Sequence, residues 1–219
     1  MSDINIYFYD IMNMRKSLPN RIMARIRRMG RGKVHATKDF LDLGARSAVD
    51  QVLVRLVKRG LIKRFSRGLY FLPRVNRMLG MSLAPGIEDV VQAIARKTGS
   101  RAVVSRAAAA NQLGFSTQIP ARSVFLTDGK TKQVRVGNHL VTLKHTAPKN
   151  LPSGDSVSTT VFQALRFLGP GGIDDASIAR VRNILTQKQR KNLMHDARYA
   201  SGWLADAARA VCRPDFIHG

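Results

Sequence analysis

Apolar positions recur at helical spacing early in the chain: Leu18, Ile22, Ile26 and Met29 fall on one stripe, with Ser17 placed to begin the helix. Gly30 and Gly32 interrupt it. Residues 37–42 read as a short helix opened by Thr37 and closed at Gly44. A longer helix is predicted over 47–59, where Val49, Val52, Leu53, Leu56 and Val57 form one apolar face and Gly60 supplies a left-handed terminator. The period then changes from helical to extended. Residues 61–65 and 69–72 read as two short strands around the turn sequence Ser66-Arg67-Gly68. Helix, short helix, longer helix and hairpin, in that order, predict a winged helix-turn-helix over residues 17–75.

Residues 76–85 lose periodicity and read as a linker, after an N-terminal extension over 1–16. Beyond it, helices are expected over 87–97 and 105–113, then three strands over 123–127, 133–136 and 140–144. Asp128-Gly129 and Gly137-Asn138 are taken as their hairpin turns. Four more helices are expected over 161–168, 173–185, 187–194 and 201–211. Residues 86–219 therefore predict a mixed domain in which helices cover a small antiparallel meander, and the fold class is α+β.

Charge changes this picture from architecture to function. The 219 residues hold 37 Lys and Arg against 14 Asp and Glu, a net charge of +23, where a small soluble domain commonly carries about 2–8 in magnitude. Such an excess repels itself in a compact fold unless an anionic partner offsets it. Duplex DNA fits the predicted helices. The start and outer face of the 47–59 helix present Arg46, Ser47, Ala48, Gln51, Arg55 and Lys58. There, Gln and Arg can address base edges while small residues approach a thymine methyl group or a phosphate. Lys63, Arg64 and Arg67 lie on the expected wing, and Lys33, His35 and Lys38 bracket the start of the short helix. A second basic cluster, Lys188, Arg190 and Lys191, could extend a DNA footprint or meet an acidic partner.

Candidate chemistry is sparse. His35, His139, His145, His195 and His218 show no metal-ligand spacing, and Asp174 and Asp175 suit helix capping better than acid–base work. Gly169-Pro170-Gly171-Gly172 lacks the Lys-Ser/Thr of a phosphate loop, Trp203 is read as core, and Cys212 is the only cysteine. No catalytic residues, metal or cofactor are expected, and the chain is read as a non-enzyme. With no apolar run of about 18 residues and no secretory leader, a cytoplasmic location away from membranes is expected.

Two stretches carry a family resemblance. Thr37-Lys38-Asp39-Phe40, Ala48 through Ile62 and Gly68-Leu69-Tyr70 resemble the N-terminal winged helix of AbiEi-like antitoxins of type IV toxin–antitoxin systems. Residues 110–120 (Ala-Asn-Gln-Leu-Gly-Phe-Ser-Thr-Gln-Ile-Pro), followed by Leu126-Thr127-Asp128-Gly129, are similar to that family's second domain. The resemblance implies a transcriptional autorepressor that binds operator repeats and is paired with a nucleotidyltransferase-like toxin. The alternative is a nucleic-acid-associated interaction protein whose basic C-terminal domain binds RNA or a protein.

Overall fold

The structure, a computed structural model, describes residues 17–213 except 77, 79 and 118–122. The expected extension over 1–16, His218, part of the 76–85 linker and the last residues of the 110–120 resemblance lie outside that set. The class is α+β, and the chain divides into two compact units.

In the first unit the order is α1 (Leu18–Met29), β1 (Val34–Ala36), a 3-10 turn (Thr37–Phe40), α2 (Arg46–Lys58), β2 (Lys63–Ser66) and β3 (Leu69–Phe71). Pro19 suits the first turn of α1, where its missing N–H costs nothing. Ile22, Met23 and Ile26 of α1 meet Val49, Val52, Leu53 and Leu56 of α2, with Phe40, Ile62 and Tyr70 completing one core. Gly60 (φ +69°) ends α2 in the left-handed region as the sequence requires, and Gly68 (φ +73°) turns β2 into β3. The expected helix over 37–42 is only a single 3-10 turn. The Asp39 carboxylate accepts the Ala36 N–H at 2.9 Å, a reach-back from the third position that caps the start of this turn.

Two further elements were not read from the sequence. The fully buried β1 joins the hairpin in a three-stranded sheet of order β1-β3-β2, antiparallel throughout, with Val34 opposite Phe71 and Ala36 opposite Leu69. A two-residue ribbon, β4 (Val75–Asn76) with β5 (Met81–Ser82), occupies the stretch expected to be a plain linker.

The boundary between units falls at Ser100, not near residue 86. The first unit comprises the described part of 1–100 with Arg135–Asn138. Helix α3 (Ile87–Thr98) belongs to it, packing on β1 and the 3-10 turn through a face that includes Val90, Val91 and Ile94. Glu88 and Asp89 in its first turn and Arg96 and Lys97 in its last are each at the favoured end of the helix dipole.

The elements that follow are β6 (Ala102–Val104), α4 (Arg106–Gln112), β7 (Ser123–Thr127), β8 (Lys132–Val136), β9 (His139–His145), α5 (Ser156–Leu168), α6 (Asp175–Ile184), α7 (Gln187–Asp196) and α8 (Gly202–Cys212), all in the second unit except the end of β8 from Arg135. The sheet order is β6-β7-β9-β8, and β7 runs parallel to β9, from Ser123 opposite Val141 to Thr127 opposite His145. The expected simple meander is corrected here for a local reason. Asp128-Gly129 does not reverse the chain into a neighbouring strand. Its carboxylate accepts the Arg101 N–H at 2.7 Å, and the Gly129 N–H donates to Thr127 Oγ1 at 3.0 Å, tying the end of β7 to the start of β6. The turn at Gly137 (φ +57°) does join β8 to β9. Helices α4 and α5 pack together, and α6, α7 and α8 close around α5 and one another. Asp174 caps α6 by accepting the Ser177 N–H at 2.8 Å, as its position predicts. Trp203, read as core, is instead about one-third exposed (36%), because Leu204, Ala205, Ala208 and Val211 take the inner face of α8.

Candidate nucleic-acid interface

Helix α2 is buried along Val49, Val52, Leu53 and Leu56. At 100° per residue the opposite ridge consists of Ser47, Gln51, Val54, Arg55 and Lys58, all exposed. The helix opens after Ala45, whose side chain cannot cap it, so its first-turn N–H groups receive no side-chain acceptor. Ala48 is half-buried beside this ridge. Arg46 lies on the flank and donates from Nε to Asp50 Oδ2 at 3.1 Å, an exposed i,i+4 pair.

The hairpin carries Lys63, Arg64 and Arg67, all exposed. Arg64 leans on the Ser66 carbonyl (3.4 Å). The backbone carbonyl of Arg67 accepts a hydrogen bond from Lys97 Nζ at 2.6 Å, so the tip of the hairpin is tethered to α3 while the Arg67 side chain projects outward.

The three residues expected around the short helix separate. Lys38 is exposed. Lys33 pairs with Asp89 at 2.7 Å and is engaged with the first turn of α3. His35 has no access to any nucleic acid: its exposure is 0%, because β1 is covered on both faces. Its ring lies 5.6 Å from that of Phe40, and among the described residues neither ring nitrogen has a hydrogen-bond partner. Burial pushes its pKa below the usual histidine value, the Asp39 charge opposing and Arg96 reinforcing the shift.

Several basic residues not singled out in the sequence turn out to be clamps. Arg25 donates to both carboxylate oxygens of Asp42 at 2.6 Å and to the Asp39 carbonyl at 2.7 Å. This hydrogen bonding raises the Arg25 pKa and holds that of Asp42 below the ordinary carboxylate range. Arg96 spans Asp39 with Nε and Nη2 (both 3.2 Å) and reaches the Val34 carbonyl at 2.8 Å. Only the spatial neighbourhood of Asp39 reveals this role, since the partners lie 57 positions apart.

The distribution of charge follows. Asp39, Asp42, Asp50 and Asp89 are each taken up by Arg96, Arg25, Arg46 and Lys33. The cations left without an acidic partner among the described residues include Lys38, Arg55, Lys58, Lys63, Arg64 and Arg67 on the 3-10 turn, the outer ridge of α2 and the hairpin, and also Arg27, Arg28, Arg31 and Arg59 elsewhere in the unit.

The second cluster is not a single patch. Lys188 and Lys191 are exposed and one helical turn apart on α7, whereas Arg190 is half-buried, its Nε without a partner and its carbonyl accepting the Cys212 thiol at 3.1 Å. Burial raises the pKa of that thiol. Among the described residues no group of three His, Cys, Asp or Glu is arranged to hold a metal ion, and no helix is long and apolar enough to cross a membrane.

No curated protein matches the chain. A family model does match over residues 21–193, from the first turn of α1 into α7. By that coverage the chain belongs to the family described as "Family of unknown function (DUF6088)".

Proposed function

We propose that the first unit binds duplex DNA as a winged helix-turn-helix, with the Ser47–Gln51–Arg55–Lys58 ridge of α2 in the major groove and the β2–β3 hairpin along the phosphate backbone. The observation that carries this reading is the segregation of charge. The aspartates of the unit are engaged in internal pairs, while among the described residues no acidic side chain neutralises the cations of the outer ridge and the hairpin. The order helix, strand, turn, helix, hairpin and the sheet order β1-β3-β2 support it, because they leave one face of α2 outside the core and next to a wing. Gln51 and Arg55 are the side chains suited to base edges; Lys63, Arg64 and Arg67 are suited to phosphates.

The finer reading is a cytoplasmic, non-enzymatic autorepressor that serves as the antitoxin of a type IV pair. It rests on the resemblance to AbiEi-like proteins. The experiment uses the full chain and the DNA upstream of its own reading frame. Specific retention of that DNA over random duplex, lost in Gln51→Ala, is the expected result. Equal retention of both would sink the regulator reading. Rescue of growth against an adjacent nucleotidyltransferase-like product tests the antitoxin role separately, and a chain that represses without rescuing would remove only that role.

A further inference from the structure

The second unit contains a cavity of about 220 Å³ that has no part in the interface described above. The segment leading into β6 supplies Arg101 to its wall, α5 supplies Phe162 and Arg166, and the 3-10 turn before α8 supplies Tyr199. Carbonyl groups of the 148–150 turn aim both guanidinium groups. Arg101 Nη2 donates to the Pro148 carbonyl at 3.3 Å, and Arg166 Nη1 donates to the Asn150 carbonyl at 3.0 Å.

Their charges are unevenly compensated. Arg101 leans on Asp128, Nε to Oδ2 at 3.3 Å. Arg166 is half-buried and makes no ion pair among the described residues, and its pKa is lowered by burial and then by the like charge of Arg106. No Asp or Glu lines the cavity. A guanidinium withdrawn from water needs a counter-charge or hydrogen-bond acceptors, and a single carbonyl uses only one of its five donors. The rest of the wall mixes Ser153 with apolar and aromatic side chains: Phe162 and Leu204 are fully buried beneath it, and Tyr199 is 70% exposed, its ring edge-on to that of His195 at 6.2 Å.

We infer that this cavity binds a small phosphomonoester, with the phosphate on Arg101 and Arg166 and the organic part against Phe162 and Tyr199. A phosphomonoester carries a charge of about −1.5 to −2 at neutral pH, and its oxygens can accept paired N–H donors from two guanidinium groups; a carboxylate brings a single charge and two oxygens. The walls are too close for the convex backbone of a duplex, so the site is separate from DNA binding and does not depend on that proposal.

The test is calorimetric titration of the full chain with phenyl phosphate, benzoate, and a short single-stranded oligonucleotide carrying either a 5′-phosphate or a 5′-hydroxyl. Saturable binding of phenyl phosphate is expected, weaker by at least about tenfold in Arg166→Gln and in Arg101→Gln, with far-ultraviolet circular dichroism unchanged. Tyr199→Ala, at an exposed position that does not threaten folding, is expected to weaken phenyl phosphate more than inorganic phosphate. Duplex affinity should be unchanged in Arg166→Gln. Several outcomes would overturn the assignment: no saturation in the millimolar range, benzoate binding as tightly as phenyl phosphate, indifference to both arginine substitutions, or binding of the oligonucleotides but not of phenyl phosphate.

Discussion

The salt dependence of DNA binding gives the sharpest check on the charge argument. With Arg55 assigned to a base edge, five exposed cations on the turn, ridge and hairpin carry no acidic partner among the described residues and are available to phosphates: Lys38, Lys58, Lys63, Arg64 and Arg67. Each phosphate neutralised on B-DNA releases condensed counterions and contributes about −0.9 to the slope of log K against log salt. Full engagement of the five gives a slope near −4.5, a loss of about five-hundredfold in affinity between about 50 and 200 mM salt. Arg67→Ala in the hairpin should flatten the slope by about 1 and weaken specific and random duplex alike. Gln51→Ala should leave the slope in place and cost about 1–3 kcal/mol of discrimination, because an uncharged amide proposed to read a base edge neutralises no phosphate. Fluorescence anisotropy on a labelled duplex at four or five salt concentrations resolves both effects. A wild-type slope shallower than about −2, or a slope that Arg67→Ala does not change, would refute the assignment of these cations to phosphates.

Three further outcomes concern the frame that holds the interface. Asp39→Ala should lower stability by about 1–3 kcal/mol in urea titration, since it strips Arg96 and the Ala36 N–H of an acceptor in one step; a neutral result would mean the clamp is decorative. His35 is held neutral by burial, so its folded pKa lies below its unfolded one, and the unfolded chain binds more protons between the two values. Stability should therefore fall as pH drops below about 6.5 and recover as pH rises, and His35→Leu should flatten that part of a melting-temperature profile, with an unchanged profile counting against it. Asp155→Ala removes the acceptor for the Ser158 N–H at the start of α5 and should cost about 0.5–2 kcal/mol in the same urea assay, the loss falling on the second unit.

What could be read from the sequence was what is written locally. The helices α1 and α2 have a repeating apolar stripe, and Gly60, Gly68 and Asp174 each require the one geometry they adopt. The ridge residues Gln51, Arg55 and Lys58 followed from the same periodicity. What escaped depends on partners far along the chain. Val34-His35-Ala36 is too short to alternate, and becomes a strand only because β3 and α3 cover it. His35, which its place beside Lys33 and Lys38 suggests as a contact residue, is therefore a core residue. Asp128-Gly129 has the composition of a hairpin turn, but Arg101 captures its carboxylate, and the next strand pairs elsewhere. Lys188, Arg190 and Lys191 are adjacent in the sequence yet divided by the helix, since neighbouring positions are turned 100° apart.

The position of α3 has a consequence for how this chain comes off the ribosome. The strand it covers and the hairpin tip it tethers through Lys97 are synthesised well before it, and a nascent chain that ends at the hairpin still lacks the wall over Val34, His35 and Ala36. Exposed apolar strand surface of this kind invites mispairing while synthesis continues at about 5–20 residues per second. β1 gains that wall only after residue 98 has left the exit tunnel, so a fragment cut within the preceding ribbon should aggregate more readily than one that includes α3.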